Sequence, residues 1–445
     1  MSTVPDGGCA AWTRVVAYAV ICTSTLGVMY AFSPLYALLL DELQSPPFAT
    51  AFVGSLASGM MDGTSVLTGI MIERFGYRKT CMAGGLIASG GMAFSAFATE
   101  LWQLYLSFGL GMGLGISLAF FPPIVLMSSW FDKRLSLVHS IGNSASAALA
   151  LVFGPTATPI FESIGRRNAM LGLAAVMFVL LLCSSAVMTT PPQAPQAPAA
   201  LAADKIVEEQ KKEQRGPSSS KTSSSSSLAP FRSAIQKNSV RLTCLISFVY
   251  GLACWVPIVH LVRLSLDCGL ESNEANTKLT FLALGSLTIR VPIAMVADRY
   301  GRRLVFLICA LAYAAVCVVT AFAAGGDGCL QDVAASSAYL SAYAYLCGLT
   351  GAMNSLLVSL PSELGLSVDD ARASVTLIVS PLGAGLLVGP VVAGALYGVT
   401  DRYREPLLVA AGCLLLAAAG ILVQLRCTAC KSADTRKIQP CDPAE

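Results

Sequence analysis

Twelve apolar stretches, each long enough to cross a lipid bilayer, leave this chain few ways to fold. A spanning helix needs about 17–25 predominantly apolar residues. Such runs fall at 13–40, 49–72, 79–98, 101–128, 135–161, 167–189, 240–263, 277–297, 303–324, 335–358, 371–398 and 405–425. In lipid every backbone N–H and C=O must find a partner within the protein, so runs of this length predict helices. Charged residues make up only 12% of the 445, against about 25% in soluble domains, and the mean hydropathy is +0.67. The expected fold class is an all-α polytopic membrane protein of twelve transmembrane helices in two pseudo-symmetric six-helix bundles.

Between the sixth and seventh runs the composition changes. Pro191 to Ala200 is rich in Pro, Ala and Gln, Asp204 to Arg215 is charged, and Ser218 to Ser227 is nearly all serine. Sequence of this kind cannot bury a core. It predicts a disordered cytosolic linker at 191–238, with room for a short surface helix at 203–215. The N-terminal bundle is then 1–190, the C-terminal bundle 239–426 and the tail 427–445. Placing both termini in the cytosol puts 22 of the 29 Lys and Arg residues on the inner side, as the positive-inside rule requires. Nothing at the N-terminus reads as a cleavable signal, and no organelle address is evident, so the plasma membrane is the default.

Fifteen cysteines are present, most of them inside apolar runs, where a thiol behaves as a small hydrophobe. Cys268 and Cys329 fall in loops expected outside, where one disulfide is conceivable. Cys427 and Cys430 form a lone CxxC in the tail, a weak metal signal beside palmitoylation or no role.

The stretch Phe281 to Arg303 carries the main functional signal. An apolar helix holds Arg290 in its body and ends in a basic turn, Asp298-Arg299-Tyr300-Gly301-Arg302-Arg303. At about 1.5 Å per residue, Arg290 lies roughly 12 Å inside the membrane from Asp298. A charge at that depth costs at least ~2.5–3.5 kcal/mol and normally faces a cavity or a partner. Arg290 is therefore read as the anion anchor of a solute transporter; a structural arginine neutralised within the bundle is the alternative.

The turn is repeated. Glu73-Arg74-Phe75-Gly76-Tyr77-Arg78-Lys79 follows the second run and Asp298-Arg299-Tyr300-Gly301-Arg302-Arg303 the eighth, 225 residues later. An acid, an arginine, a glycine and two more cations recur in order. This pattern is the loop signature of the major facilitator superfamily, which the chain resembles. The resemblance implies that Glu73, Arg74, Arg78, Asp298, Arg299 and Arg302, with Lys133 and Arg134 before the fifth run, are gating residues that lock one conformation.

Further stretches are similar to the monocarboxylate transporter family within that superfamily. Pro5-Asp6-Gly7-Gly8 resembles the family's Asp-Gly-Gly-Trp-Gly-Trp motif, with Cys9 and Ala10 in place of the first Trp-Gly and Trp12 one place late. Trp130-Phe131-Asp132-Lys133-Arg134 with Leu137 resembles the Tyr-Phe-x-Lys-Arg-Arg start of the fifth helix. Leu386-Leu387-Val388-Gly389-Pro390 to Gly394-Ala395-Leu396-Tyr397 is similar to its eleventh helix. Lactate-type members carry a lysine in the first helix and an aspartate four residues before the eighth-helix arginine. Here Pro34 stands at or beside the first position and Ser286 at the second. Coupling of a proton to a carboxylate by that lysine and aspartate–arginine pair is therefore not expected, and lactate and pyruvate are in question as substrates.

Asp62 is the candidate substitute. It lies eleven residues before Glu73, within about one helical turn of the depth of Arg290. It is read as a counter-charge to Arg290, directly or across the cavity, and as a proton site; helix glue hydrogen-bonded to Thr64 or Ser65 is the alternative. Tyr30, Phe32, Trp255 and Asn354 lie in runs that line the central cavity in this superfamily and complete, with Arg290, Asp62 and Ser286, the substrate-binding candidates, although simple packing accounts for many aromatic residues in helices. The two histidines, His139 and His260, read as packed hydrogen-bonders before proton relays. Gly109-x-Gly111-x-Gly113-x-Gly115 imitates a nucleotide loop, but it follows no strand and reads as close helix packing.

No phosphate-binding loop, nucleophile elbow, paired catalytic carboxylates or zinc spacing is present, so neither an enzyme nor an ATP-driven pump is expected. The chain reads as a secondary transporter moving a small organic anion, most simply a monocarboxylate, by alternating access with protons as a candidate co-substrate. A carrier of amino acids, aromatic acids or other organic solutes is the alternative, and a non-transporting receptor or scaffold the rival from another class. Neither cofactor nor metal nor nucleic acid is expected as a partner. The resemblance leaves room for a single-span chaperone.

Overall fold

The computed structural model describes residues 7–30, 39, 42, 47–190, 229–323, 332–400 and 402–438. The first part of the chain forms α1 (Cys9–Tyr30), α2 (Pro47–Gly63), α3 (Ser65–Phe75), α4 (Tyr77–Ser95), α5 (Leu101–Leu104), α6 (Gly113–Trp130), α7 (Leu135–Ile164) and α8 (Arg166–Ala186). A π-helical stretch, Tyr105–Met112, joins α5 to α6. After a short α9 (Ala229–Gln236) come α10 (Asn238–Cys254), α11 (Val256–Val259), α12 (Leu261–Asp267), α13 (Ser272–Tyr300) and α14 (Arg302–Ala323). The chain continues through α15 (Val333–Gly351), α16 (Asn354–Leu357), α17 (Val368–Thr400) and α18 (Arg404–Ile438). Strands do not occur among the described residues.

Every one of the twelve expected runs contains helix, and eight meet both the length and the hydropathy of a membrane span among the described residues. The other four are α2 with α3, α4, α7, and α15 with α16. Helices α2 and α3, parted at Thr64, have only 17 and 11 residues, while α4 and α15 carry more Gly, Ser and Tyr, which lowers their hydropathy. Two boundaries differ from expectation. The last helix runs on to Ile438, through the stretch assigned to the tail. Helix α9 falls inside the stretch assigned to the linker, because Phe231 and Ala234 find an apolar seat there. The surface helix expected at 203–215 lies outside the described residues.

Single glycines make the corners. Gly76 (φ +81°) turns α3 into α4 and Gly301 (φ +106°) turns α13 into α14. A left-handed backbone of this kind costs an L-residue with a side chain about 1–2 kcal/mol, so the repeated glycine is a geometric requirement. In the first half α1 packs on α7, and α4 on α6 and α8; in the second, α10 packs on α17 and α18, α13 on α15, and α14 on α18. The halves meet where α13 lies against α7 and α17 against α2.

The glycine run of the fourth apolar segment is a packing device. A Cβ on Gly115 would stand 2.2 Å from the backbone nitrogen of Ala88, and one on Gly84 would stand 2.4 Å from that of Ala119. The α4 and α6 backbones therefore touch, as small residues allow in lipid. Besides the break at Thr64 between α2 and α3, three further rods are interrupted instead of continuous. The helix around Trp255 breaks into α10, α11 and α12 near Pro257. The run after α15 breaks at Ala352 and Met353 and ends in a 3₁₀ turn, Leu360–Glu363. The third is the π-helical stretch before α6. Interrupted spanning helices are characteristic of substrate sites in transporters. Replacing Gly115 with Val should cost about 1–3 kcal/mol by forcing the touching helices apart, whereas Gly90, which faces open space, should accept Val with little change. Thermal unfolding of the purified protein in detergent compares the two.

Candidate substrate site and gate

Arg290 sits in the body of α13, half-buried, and donates from Nη2 to Ser286 Oγ, one turn earlier, at 2.6 Å. Ser286 is the residue found in place of the expected aspartate, so the guanidinium leans on a neutral hydroxyl. Arg290 also interacts electrostatically with Tyr18 and Cys22 of α1 and with Tyr250 of α10. Tyr18 and Tyr250, from the first helix of each half, thus lie within electrostatic reach of it. The Tyr250 hydroxyl donates to Asn354 Oδ1 at 2.6 Å, tying the start of α16 to α10. Behind Tyr18 stands His139 of α7, edge-on with ring centroids 5.9 Å apart. The structure brings Arg290, Ser286 and Asn354 into one neighbourhood, with Tyr18, Tyr250 and Cys22 as additions. Both tyrosines are fully buried polar groups in apolar runs, and that was the signal available for them in the sequence. Trp255 caps the break between α10 and α11. The side chain of Tyr30 and all of Phe32 lie outside the described residues.

Asp62 occupies a separate place. It is 6% exposed, at the end of α2, and a Cβ on Gly383 of α17 would stand 2.9 Å from its own Cβ. Its electrostatic neighbour is Cys254 of α10. The ion pairs among the described residues do not join it to Arg290. The direct counter-charge expected from their matching depth is therefore replaced by a shared interior, because α17 and α10 stand beside Asp62. The expected bonds to Thr64 and Ser65 are also replaced. Thr64 turns back to Met60 O at 2.7 Å and Ser65 crosses to Thr376 O at 2.9 Å.

The face that carries both termini of the helical bundle is tied shut. Asp298 accepts hydrogen bonds from the backbone N–H groups of Ser136 (3.2 Å) and Leu137 (3.0 Å). These are among the first amides of α7, which have no partner within their own helix, so a carboxylate from the second half caps a helix of the first. Arg302 pairs with Asp298 at 3.2 Å, both side chains being about nine-tenths buried. The same guanidinium reaches Asp132 O at 2.8 Å and bonds to Ser362 Oγ. Glu363 accepts from the Arg302 backbone at 2.5 Å and pairs with Arg303 at 3.2 Å. Arg372 of α17 adds a bond to Ser129 Oγ of α6 at 2.9 Å. Of the expected gating residues, Asp298 and Arg302 are brought together. Glu73, Arg74, Arg78, Arg299, Lys133 and Arg134 lie exposed. Glu363, Ser362 and Asp132 O were not foreseen, since no local pattern announces a partner 60 or more residues away.

A family model described as the Major Facilitator Superfamily matches residues 18–266 and 243–428. The chain belongs to this superfamily. Solved superfamily structures reproduce its fold: the human organic anion transporter MFSD10 (TETRAN), with a TM-score of 0.67 at 14% identity, and a variant of the E.coli fucose:proton symporter FucP, with 0.60 at 16%. Each alignment covers 92% of this chain and 99% of the other. Among curated relatives, monocarboxylate transporter 3 of Rattus norvegicus is 36% identical over 172 residues, 38% of this chain. The match spans 33% of that relative's length. The superfamily consists of transporters, and this member is a multi-pass membrane protein that resembles the monocarboxylate transporters.

Within this superfamily member the two repeated turns are unequal, one buried in a lock and one exposed. Asp298→Ala removes the cap of α7 and leaves Arg302 buried without its carboxylate. Loss of one partner of a buried pair costs about 3–5 kcal/mol, and denaturant unfolding should register it. Asp298→Asn, which keeps an acceptor for the amides, should lose less.

Proposed function

We propose that this transporter carries a small organic anion, most simply a monocarboxylate, by alternating access between two six-helix bodies at 1–190 and 239–426. The observation that carries the reading is Arg290 among hydroxyl groups at the meeting of the two halves. A guanidinium is a planar fork that matches a carboxylate with two parallel hydrogen bonds. Here it leans on Ser286 and lies within electrostatic reach of Tyr18 and Tyr250, and a carboxylate would complement its positive charge. The resemblance to monocarboxylate transporters agrees with this cargo.

Orientation is supported by a disulfide. Cys268, the residue that ends α12 on the side opposite the termini, is disulfide-bonded; Cys329, the partner expected from sequence, lies outside the described residues. Disulfides persist on the oxidising side of a membrane, which agrees with cytosolic termini and delivery to the plasma membrane, with a single-span chaperone as a candidate escort. With the Asp298 lock on the cytosolic side, this reading makes the described state closed to the cytosol.

Asp62 is the proposed proton carrier. Its seat against Gly383 lies where α2 of one half meets α17 of the other, so parting the halves would change which side of the membrane supplies its water. FucP, a fucose:proton symporter, is a precedent within the fold for proton coupling. A second reading, an aromatic acid or amino acid as cargo, is favoured by the two aromatic rings of Tyr18 and Tyr250 within reach of Arg290.

Uptake by proteoliposomes tests both readings, using labelled monocarboxylates and aromatic amino acids with and without an inward proton gradient. Arg290→Gln should lower monocarboxylate uptake on the order of 10–100-fold, the worth of a charge-assisted hydrogen bond. Asp62→Asn should abolish stimulation by the gradient while leaving substrate exchange intact. Uptake indifferent to Arg290 would overturn the anion reading.

A further inference from the structure

The two repeats predict two symmetric locks. Asp298 caps the N-terminus of α7, and by the same symmetry Glu73 would cap the N-terminus of α17. It does not. Glu73 is exposed, the Asp370 amide is served by Ser367 Oγ at 3.2 Å, and the place beside α17 is taken by α9.

Helix α9 has one apolar face. Phe231 and Ala234 are buried, while Arg232, Ser233 and Gln236 are exposed. The buried pair forms a small core of its own with Ala373 and Leu377 of α17, and Val66 and Ile70 of α3 pack against it. The fit is closest at Gly69 of α3. A Cβ there would stand 2.7 Å from Phe231 Cζ and 2.7 Å from Thr376 Oγ1, so the missing side chain is the notch that receives the ring. Lys237, the residue joining α9 to α10, pairs with Asp370 Oδ2 at 2.8 Å. Around the same seam Ser65 reaches Thr376 O and Ser380 reaches Gly63 O, each at 2.9 Å.

We propose that α9 is a latch, the second lock of the cytosolic gate, built from the end of the inter-bundle linker in place of the Glu73 turn. One residue separates α9 from α10, so the helix travels with the second half. Phe231 touches α3 and α17 together only while those helices adjoin. Opening this face must draw the ring out of the Gly69 notch and into water, and that cost holds the face shut. Any event that unseats α9, such as a negative charge added at Ser233 beside Asp370, releases the latch. The inference rests on the halves parting at this face, as alternating access requires, and not on the identity of the cargo.

Hydrogen exchange with mass spectrometry on the full chain in lipid nanodiscs tests it without a substrate. Phe231→Asp and Lys237→Glu should each speed amide exchange in 65–75 and 368–380 by roughly tenfold, as local opening does. Exchange in α8, remote from the seam, should stay at its wild-type rate. The charge swap Lys237→Glu with Asp370→Lys should recover most of the protection lost in Lys237→Glu. Wild-type exchange at the seam in both single variants would overturn the latch, and so would a swap that recovers nothing. An equal rise along the whole chain would also overturn it, since that reports general destabilisation. Failed uptake with the seam responding as expected would count against the cargo and leave the latch standing.

Discussion

At the seam on the face that carries both termini, the Asp298 carboxylate accepts two amide hydrogen bonds from the start of α7 and pairs with Arg302 on its own side. Both the amides and the guanidinium are groups that cannot be left bare in a buried place. Each half therefore supplies what the other lacks, and neither is satisfied alone. Because α7 and α13 also pack along their length, this one carboxylate sets the register in which the two halves meet. The arrangement of Arg290, Tyr18 and Tyr250 above it follows from that register.

Much of this was legible in the chain. Gly76 and Gly301 recur because a one-residue corner needs a left-handed backbone, and such a requirement is local. The depth of Arg290 followed from counting residues along a helix, and the glycine run before Pro122 was recognisable as packing because no strand preceded it. What could not be read was relational. Asp62 and Arg290 share a depth, but depth does not fix azimuth, and Asp62 turns toward α17 and Cys254. Glu363 belongs to a short 3₁₀ turn whose neighbour is set only by tertiary packing. The seat of Phe231 depends on a missing side chain at Gly69, 162 positions earlier. Composition alone assigned that residue to a linker.

The two halves share a plan and divide the labour. The first half breaks its rods at Thr64 and in the π-helical stretch before α6, and it offers Tyr18, Asp62 and the amides of α7. The second breaks two of its rods, around Trp255 and after α15, and carries the guanidinium of Arg290 on α13. Broken helices expose backbone groups that need a cavity or a polar neighbour, and the Tyr250–Asn354 bond is one such accommodation. A protein whose halves differ in this way can treat its two membrane faces differently, with a buried ion-pair lock and an apolar latch side by side on one of them.

The disulfide at Cys268 has a use beyond covalent bracing. It places a reducible bond on one side of the membrane, opposite the free, exposed Cys427 near the end of α18. A membrane-impermeant reductant and a membrane-impermeant thiol label would then act on opposite faces of the same molecule. The ratio of their reactions reports how many molecules in a vesicle preparation point each way. Chemistry built into the chain thus supplies its own compass.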